Sequence, residues 1–294
     1  MNRRLLSRVL IGFGVLCLVL IVGALIFIRQ IGAWGIVFPS HSYETAPPVL
    51  PAALERPSVL LFTKTSAFRH IEAIDALVPV FDRLAAENGF SIFHTENGAL
   101  FTPEGLARFD VVVFANASGD TLSDEQDAAF ERWLQDGGGW IGLHAAGDGS
   151  HAAWRWYVDE LIGADYVAHI MDPQFQTARI VVEDTAHPAT RDLPGQWLHE
   201  EEWYSWESSP RERGFHVLAH VDESTYRPHS SFAGRELDLR MGDHPVIWTK
   251  CVGKGRAFYS ALGHRAEAYA SPEYQIVLEG ALIWAAGVEG PSCG

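Results

Sequence analysis

The chain has 294 residues, 48% of them hydrophobic, and a formal charge of −15 from 22 basic and 37 acidic side chains. Residues 1–28 hold three arginines and no acid, so the remainder carries 19 bases against 37 acids, a net −18. A field of that sign makes the remainder a poor partner for nucleic acid or an anionic membrane surface.

Residues 9–28 form a run of 20 positions without a charge. At about 1.5 Å per residue the run spans about 30 Å, the hydrocarbon thickness of a bilayer. Arg3, Arg4 and Arg8 precede it and Arg29 follows. The basic excess predicts a cytoplasmic N-terminus and an exported remainder, periplasmic or extracellular. The run is longer than the apolar region of a signal peptide, and no A-x-A pattern follows, which favours an uncleaved anchor over residues 1–29. Leu16 before Cys17, in mid-span, does not suit a lipoprotein. Cys251 and Cys293 then face an oxidising compartment, where they are able to pair or stay free; no metal-type cysteine spacing exists.

Residues 30–57 carry five prolines and no periodicity, which predicts a semi-extended linker. The α/β pattern starts at 58. The run 58–63 (SVLLFT) reads as a strand buried on both faces. A helix is expected over 71–88, with apolar Ile71, Ile74, Leu77, Val78, Phe81 and Leu84 on one face and Gly89 ending it. Strands follow at 90–94 and 109–116, then a helix over 124–135 capped by Ser123, then a strand over 140–143. Strand alternating with helix predicts crossover units: an α/β fold with a flavodoxin-like, doubly wound, mostly parallel sheet whose sites lie beyond the carboxyl ends of its strands. The C-terminal half is less regular. It reads as a helix at 154–162, strands at 176–183 and 215–221, a β-hairpin of 245–250 and 256–262, and a closing helix at 274–286. The domain is expected over 58–288, with a tail at 289–294.

The stretch 139–147 (GWIGLHAAG) has a strand running into His144 between small residues, the pattern of a strand-to-helix elbow. The elbow carries histidine where amidotransferases carry cysteine, and no cysteine occurs between 18 and 250, so Cys-dependent chemistry is excluded there. A plain strand end with small residues for packing is the alternative. His70, one loop after the first strand, belongs on the same sheet edge. His264 ends one hairpin strand and His244 begins the other, so the two are expected to be neighbours, beside Asp243. Glu200, Glu201 and Glu202 adjoin Trp203 and Tyr204. A buried member of the trio is expected to have a raised pKa and to serve as a general acid or base; the alternative is a solvated acidic turn, expected for at least one of the three. Imidazoles with a carboxylate suit a divalent metal such as zinc, or proton transfer unaided. The tryptophans at 154, 156, 197, 203 and 206 suit either sugar stacking or core packing. Ser150 is not at an elbow, which ranks nucleophilic hydrolysis last.

The motifs AFRH (67–70), GGGWIGLHAA (137–146), EEWY (201–204), DHPVIW (243–248) and GRAFYSALGH (255–264) resemble the ThuA-like (trehalose-utilisation) family of the class I glutamine amidotransferase-like superfamily, across 58–287. The resemblance implies a decorated flavodoxin-like fold, a link to sugar and keto-sugar metabolism, and loss of the amidotransferase cysteine. Carried over residue by residue, it puts the candidate site at His70, His144, Glu202, His244 and His264. The expected catalytic residues are His144, Glu202 and His264, the expected substrate-binding residues Arg69, Trp203, Tyr204 and Asp243, and the expected metal ligands His70, His144, His244 and His264. Glu201 and Trp203 depart from the family's D-E-L-Y. No G-x-G-x-x-G follows the first strand, which disfavours a redox role. The leading expectation is an isomerase, lyase or hydrolase acting on a sugar or keto-sugar; the alternative is a non-catalytic carbohydrate-binding module.

Overall fold

The structure is a computed structural model that describes residues 3–232 and 234–294. Helix α1 (Arg3–Gln30) has an unburied segment Leu10–Gln30 with a mean hydropathy of 3.0, long and apolar enough to cross a membrane. A short helix, α2 (Trp34–Val37), follows. The chain then alternates through β1 (Ser58–Phe62), α3 (Ile71–Glu87), β2 (Ser91–Thr95), α4 (Pro103–Leu106), β3 (Val111–Ala115), α5 (Asp124–Gln135) and β4 (Gly139–Leu143). Strands β1, β3 and β4 are buried at every position, as their unbroken apolar runs require. Ser123 caps α5 in a capping box with Gln126.

The expected helix at 154–162 is a single turn, α6 (Arg155–Tyr157), that widens into a π-type turn over Val158–Ile162 and stops at Gly163. Then come β5 (Tyr166–His169), β6 (Gln176–Val182), β7 (Gln196–Glu201), β8 (Tyr204–Trp206), β9 (His216–Asp222), β10 (His229–Phe232), β11 (Arg235–Asp238), β12 (Pro245–Val252), β13 (Gly255–Ser260), α7 (Ala266–Ala270) and α8 (Pro272–Ala285). Among the described residues one sheet has the order β2-β1-β3-β4-β13-β12-β9-β6-β7. Its first five strands are parallel, and β12, β9, β6 and β7 extend it antiparallel. β5 pairs with β8, and β10 with β11, as separate ribbons. The decorated half therefore continues the parallel core, and the hairpin β12–β13 joins the two.

Parts of the expected semi-extended linker over 30–57 contact the body of the protein. Glu44 accepts from Lys64 Nζ at 2.8 Å and from the Gly98 amide at 3.0 Å, and Tyr43 donates to Asp120 at 2.6 Å. The tail is pinned too: Cys251 and Cys293 form a disulfide.

Candidate functional site

The carboxyl ends of β1, β3, β4 and β13 converge, and each delivers a polar residue. His70 ends the loop after β1, Asn116 follows β3, His144 follows β4 and His264 lies four residues past β13. His144 sits at φ 45°, the left-handed region, which costs a non-glycine residue about 1–3 kcal/mol. Its surroundings hold it there. Nδ1 lies 2.8 Å from the Ala261 carbonyl, and the His144 carbonyl accepts from Tyr259 Oη at 2.7 Å. Gly142 is required beside it, since a Cβ there would fall 2.3 Å from the Trp140 ring. Asn116, also at positive φ, donates to the Gly263 carbonyl at 3.2 Å and accepts from the Ala145 amide at 3.4 Å, stitching three strand ends together.

Glu202, in the turn between β7 and β8, enters the same space. Its Oε2 lies 2.9 Å from His264 Nδ1 and 3.6 Å from His144 Nε2; its Oε1 lies 2.9 Å from His169 Nδ1 and 2.5 Å from Gln174 Nε2. Tyr204 Oη is 2.9 Å from His144 Nε2. The His70 ring meets His144 and His264 edge-on, with centroids 4.8 and 4.5 Å away. One ligand atom from each of His70, His144, Glu202 and His264 fits within a 4.8 Å span. These four can hold a metal. A cavity of about 470 Å³ opens over His70, Glu202 and His264, walled also by Asp148, Ser150, Tyr166, His169 and Tyr204.

The electrostatics correct one expectation. Burial raises the pKa of Glu202, but bonds from His144, His169 and His264 outweigh it and hold the carboxyl well below the usual range. Glu201 is also lowered: burial opposes ionisation, but His199, His144 and the Gly263 amide prevail. Neither is a poised acid. Glu200 is the solvated member, paired with Arg265. Burial, then repulsion from His144 and His264, pushes His70 well below an ordinary imidazole, so it is neutral, and its Nδ1 is buried without a hydrogen-bond partner. Burial disfavours charge on His144, but Glu202 and Glu201 raise it overall. Burial likewise opposes the His169 charge, and the Glu202 bond reverses the sign.

His244 is not a fourth imidazole of this group. Its Nε2 bonds the Tyr204 carbonyl at 2.7 Å and its Nδ1 bonds Glu223 at 2.8 Å. The carbonyl of His244 accepts from the Val221 amide, and this end of β12 pairs with β9 through an irregular register at Pro245–Trp248. Asp243 pairs with Arg211 and Ser209 at the surface. Arg69 turns to the Thr63 carbonyl and Glu96. Trp203 is buried and donates to the Gln176 carbonyl at 2.9 Å, so core packing explains it. Of the expected substrate-binding set, Tyr204 reaches the cavity wall, and Arg69 lines an adjoining cleft with His70 and His264. His169 and Gln174 were missed. They lie in and after the short strand β5, where no periodicity marks them.

The motifs and the cluster now have a family context. Residues 58–285 match the model of the ThuA family, described as trehalose utilisation. The fold is similar to a ThuA-like protein from Bacteroides uniformis (TM-score 0.68, 25% identity, covering 82% of this chain and 95% of that one). It is also similar to one from Parabacteroides merdae (0.60, 19%, 80% and 91%) and, in fold alone, to a cytoplasmic protein from Salmonella typhimurium LT2 (0.50, 12%, 79% and 98%). No curated protein matches the sequence. With the family model spanning the chain from β1 to the end of α8, this chain belongs to the ThuA family.

Proposed function

We propose that this chain is a membrane-anchored, exported protein that processes a sugar or keto-sugar at its His/Glu cluster, with a divalent metal such as zinc held by His70, His144, Glu202 and His264. The cluster itself carries the reading: three imidazoles and a carboxylate converge within 4.8 Å beneath a cavity of small-molecule size. The unpartnered Nδ1 of buried His70 is the atom that a cation would satisfy. A metal bound there supplies Lewis acidity toward a carbonyl or hydroxyl oxygen.

The chain's own residues supply the rest. The Ala261 carbonyl fixes the His144 proton on Nδ1 and leaves Nε2 facing the cluster. Tyr204, its phenol pushed far up by burial, stays protonated. His169 lies outside the ligand set, lines the cavity and has its pKa raised by Glu202, which places it to give or take a proton beside a substrate carbonyl. Isomerisation, elimination and hydrolysis next to an activated carbonyl all need that transfer. Export is supported by the basic N-terminal flank and by the Cys251–Cys293 disulfide, a feature of oxidising compartments.

The test is a turnover screen over sugars and keto-sugars with metal-loaded full-length protein. Glu202→Gln is expected to abolish turnover with the fold intact. Saturable sugar binding without turnover would replace this reading with a carbohydrate-binding module.

A further inference from the structure

The substrate class of this site follows from where its mouth lies, and the inference rests on the sugar-processing reading. The apolar span of α1 ends at Gln30. Gln30 and its neighbour Ile31 line a cleft together with His70 and His264, two members of the cluster. The Gly32 carbonyl accepts from the Arg69 amide at 2.9 Å, one residue from His70. At Gly35 the chain presses so closely on the loop after β1 that a Cβ would fall 2.4 Å from the Ala67 carbonyl oxygen. Ile36 then forms part of the cavity wall, together with Met171. The segment after the span is thus built into the site.

A membrane's headgroup layer is only about 5–8 Å thick on each side of the hydrocarbon core. Residues at the end of the span lie in that layer, and so does a cleft they line. Ile36 and Met171 on the cavity wall, Ile31 in the cleft, and Val37 and Phe38 directly after Ile36 make an apolar patch there, 41–61% exposed. Such a patch is costly in water, and it is continuous with a helix that itself belongs in lipid. A cavity of about 470 Å³ suits a headgroup of one or two sugar rings.

We propose that the site takes the sugar headgroup of a membrane glycolipid, presented at the surface in which the protein is anchored, with the apolar rim against the lipid's acyl end. A free sugar arriving from bulk water would gain nothing from that rim.

The test uses the full chain in phosphatidylcholine nanodiscs. Met171→Cys in a Cys17→Ala background puts one reactive thiol on the cavity wall, at a position exposed enough to tolerate it. Asp136→Cys, just before β4 at the opposite sheet edge, is the control. The readout is the rate of labelling by a water-soluble maleimide. Glucosyl-diacylglycerol in the discs is expected to slow labelling at position 171 by about tenfold, because a headgroup in the same disc is presented at millimolar effective concentration. The control rate is expected not to change, and free trehalose in solution is expected to have no effect. Equal rates at position 171 with and without the glycolipid, or protection by free trehalose alone, would overturn the inference. A turnover screen on the same discs separates the two failures. Free sugar consumed without glycolipid protection overturns the glycolipid reading and keeps the sugar chemistry. Glycolipid protection with no turnover of any sugar upholds the membrane placement and removes the catalysis.

Discussion

His144 Nδ1 lies 2.8 Å from the carbonyl oxygen of Ala261, across the junction of the parallel neighbours β4 and β13. A carbonyl only accepts, so Nδ1 carries the proton and Nε2 is turned toward Glu202, His264 and Tyr204. One backbone contact between two strand ends thereby sets the chemistry of the elbow side chain. The strained φ of His144 is held by the same contact.

Glu202 is oriented from outside the cluster by Gln174 at 2.5 Å and His169 at 2.9 Å. Partners of a ligand tune it almost as strongly as the ligand set itself. Gln174→Ala and His169→Ala are each expected to weaken metal affinity by about 10–100-fold. Competition with a fluorescent zinc chelator measures this.

His244 provides the contrast. Its substitution by alanine leaves half-buried Glu223 and the Tyr204 carbonyl each one partner short beside the emptied, buried His244 position. The expected cost is about 1–3 kcal/mol of stability by urea unfolding. Metal content is expected to match that of the wild type. Loss of metal in His244→Ala would return it to the ligand set.

The contrast between His264 and His244 also marks how far the sequence could be read. The apolar runs of β1, β3 and β4 have no partner but a buried parallel sheet, so the core and its carboxyl edge were legible, and with them His70 and His144. The hairpin was legible as well, with Val252 opposite Gly255. What it does to His244 was not, because the irregular register against β9 depends on a strand more than twenty residues away. β7 (QWLHEE) is buried at alternate positions but carries His199 and Glu201 on its inner face, and it reads as polar. Its inward carboxylate is stabilised by the Gly263 amide at 2.6 Å, a long-range contact that no local pattern encodes. The strap over 30–57 was hidden for the same reason: prolines signal extended chain, and only the folded body shows what Glu44 binds.

Asp127, in the first turns of α5, has its pKa raised to about 8 by burial and then by Asp120, Glu131 and Asp124. The folded chain therefore keeps a proton that the unfolded chain releases near pH 4. Stability from this group is present below about pH 4 and is lost as pH rises toward 8. Asp127→Asn removes the loss. Its Tm is expected to equal the wild type's near pH 4 and to exceed it near pH 8 by at least about 2–4 °C, the equivalent of 1 kcal/mol. A constant difference across that range in a thermal-melt series would refute the assignment.

The Cys251–Cys293 bridge closes a loop with a sequence separation of 42 and ties the tail to β12. The chain-entropy model gives about 4 kcal/mol for a loop of that length. Cys293→Ser is expected to lower the urea midpoint accordingly, and reductant is expected to lower it in the wild type only.

The measurement that bears most directly on the proposed site is the metal content of the purified full-length protein by elemental analysis, beside His70→Ala and Glu202→Gln. The expected result is close to one divalent ion per chain, lost in both variants while circular dichroism stays unchanged. A folded wild-type protein that takes up no metal even when incubated with excess zinc, or an ion content unaltered by either substitution, would contradict it.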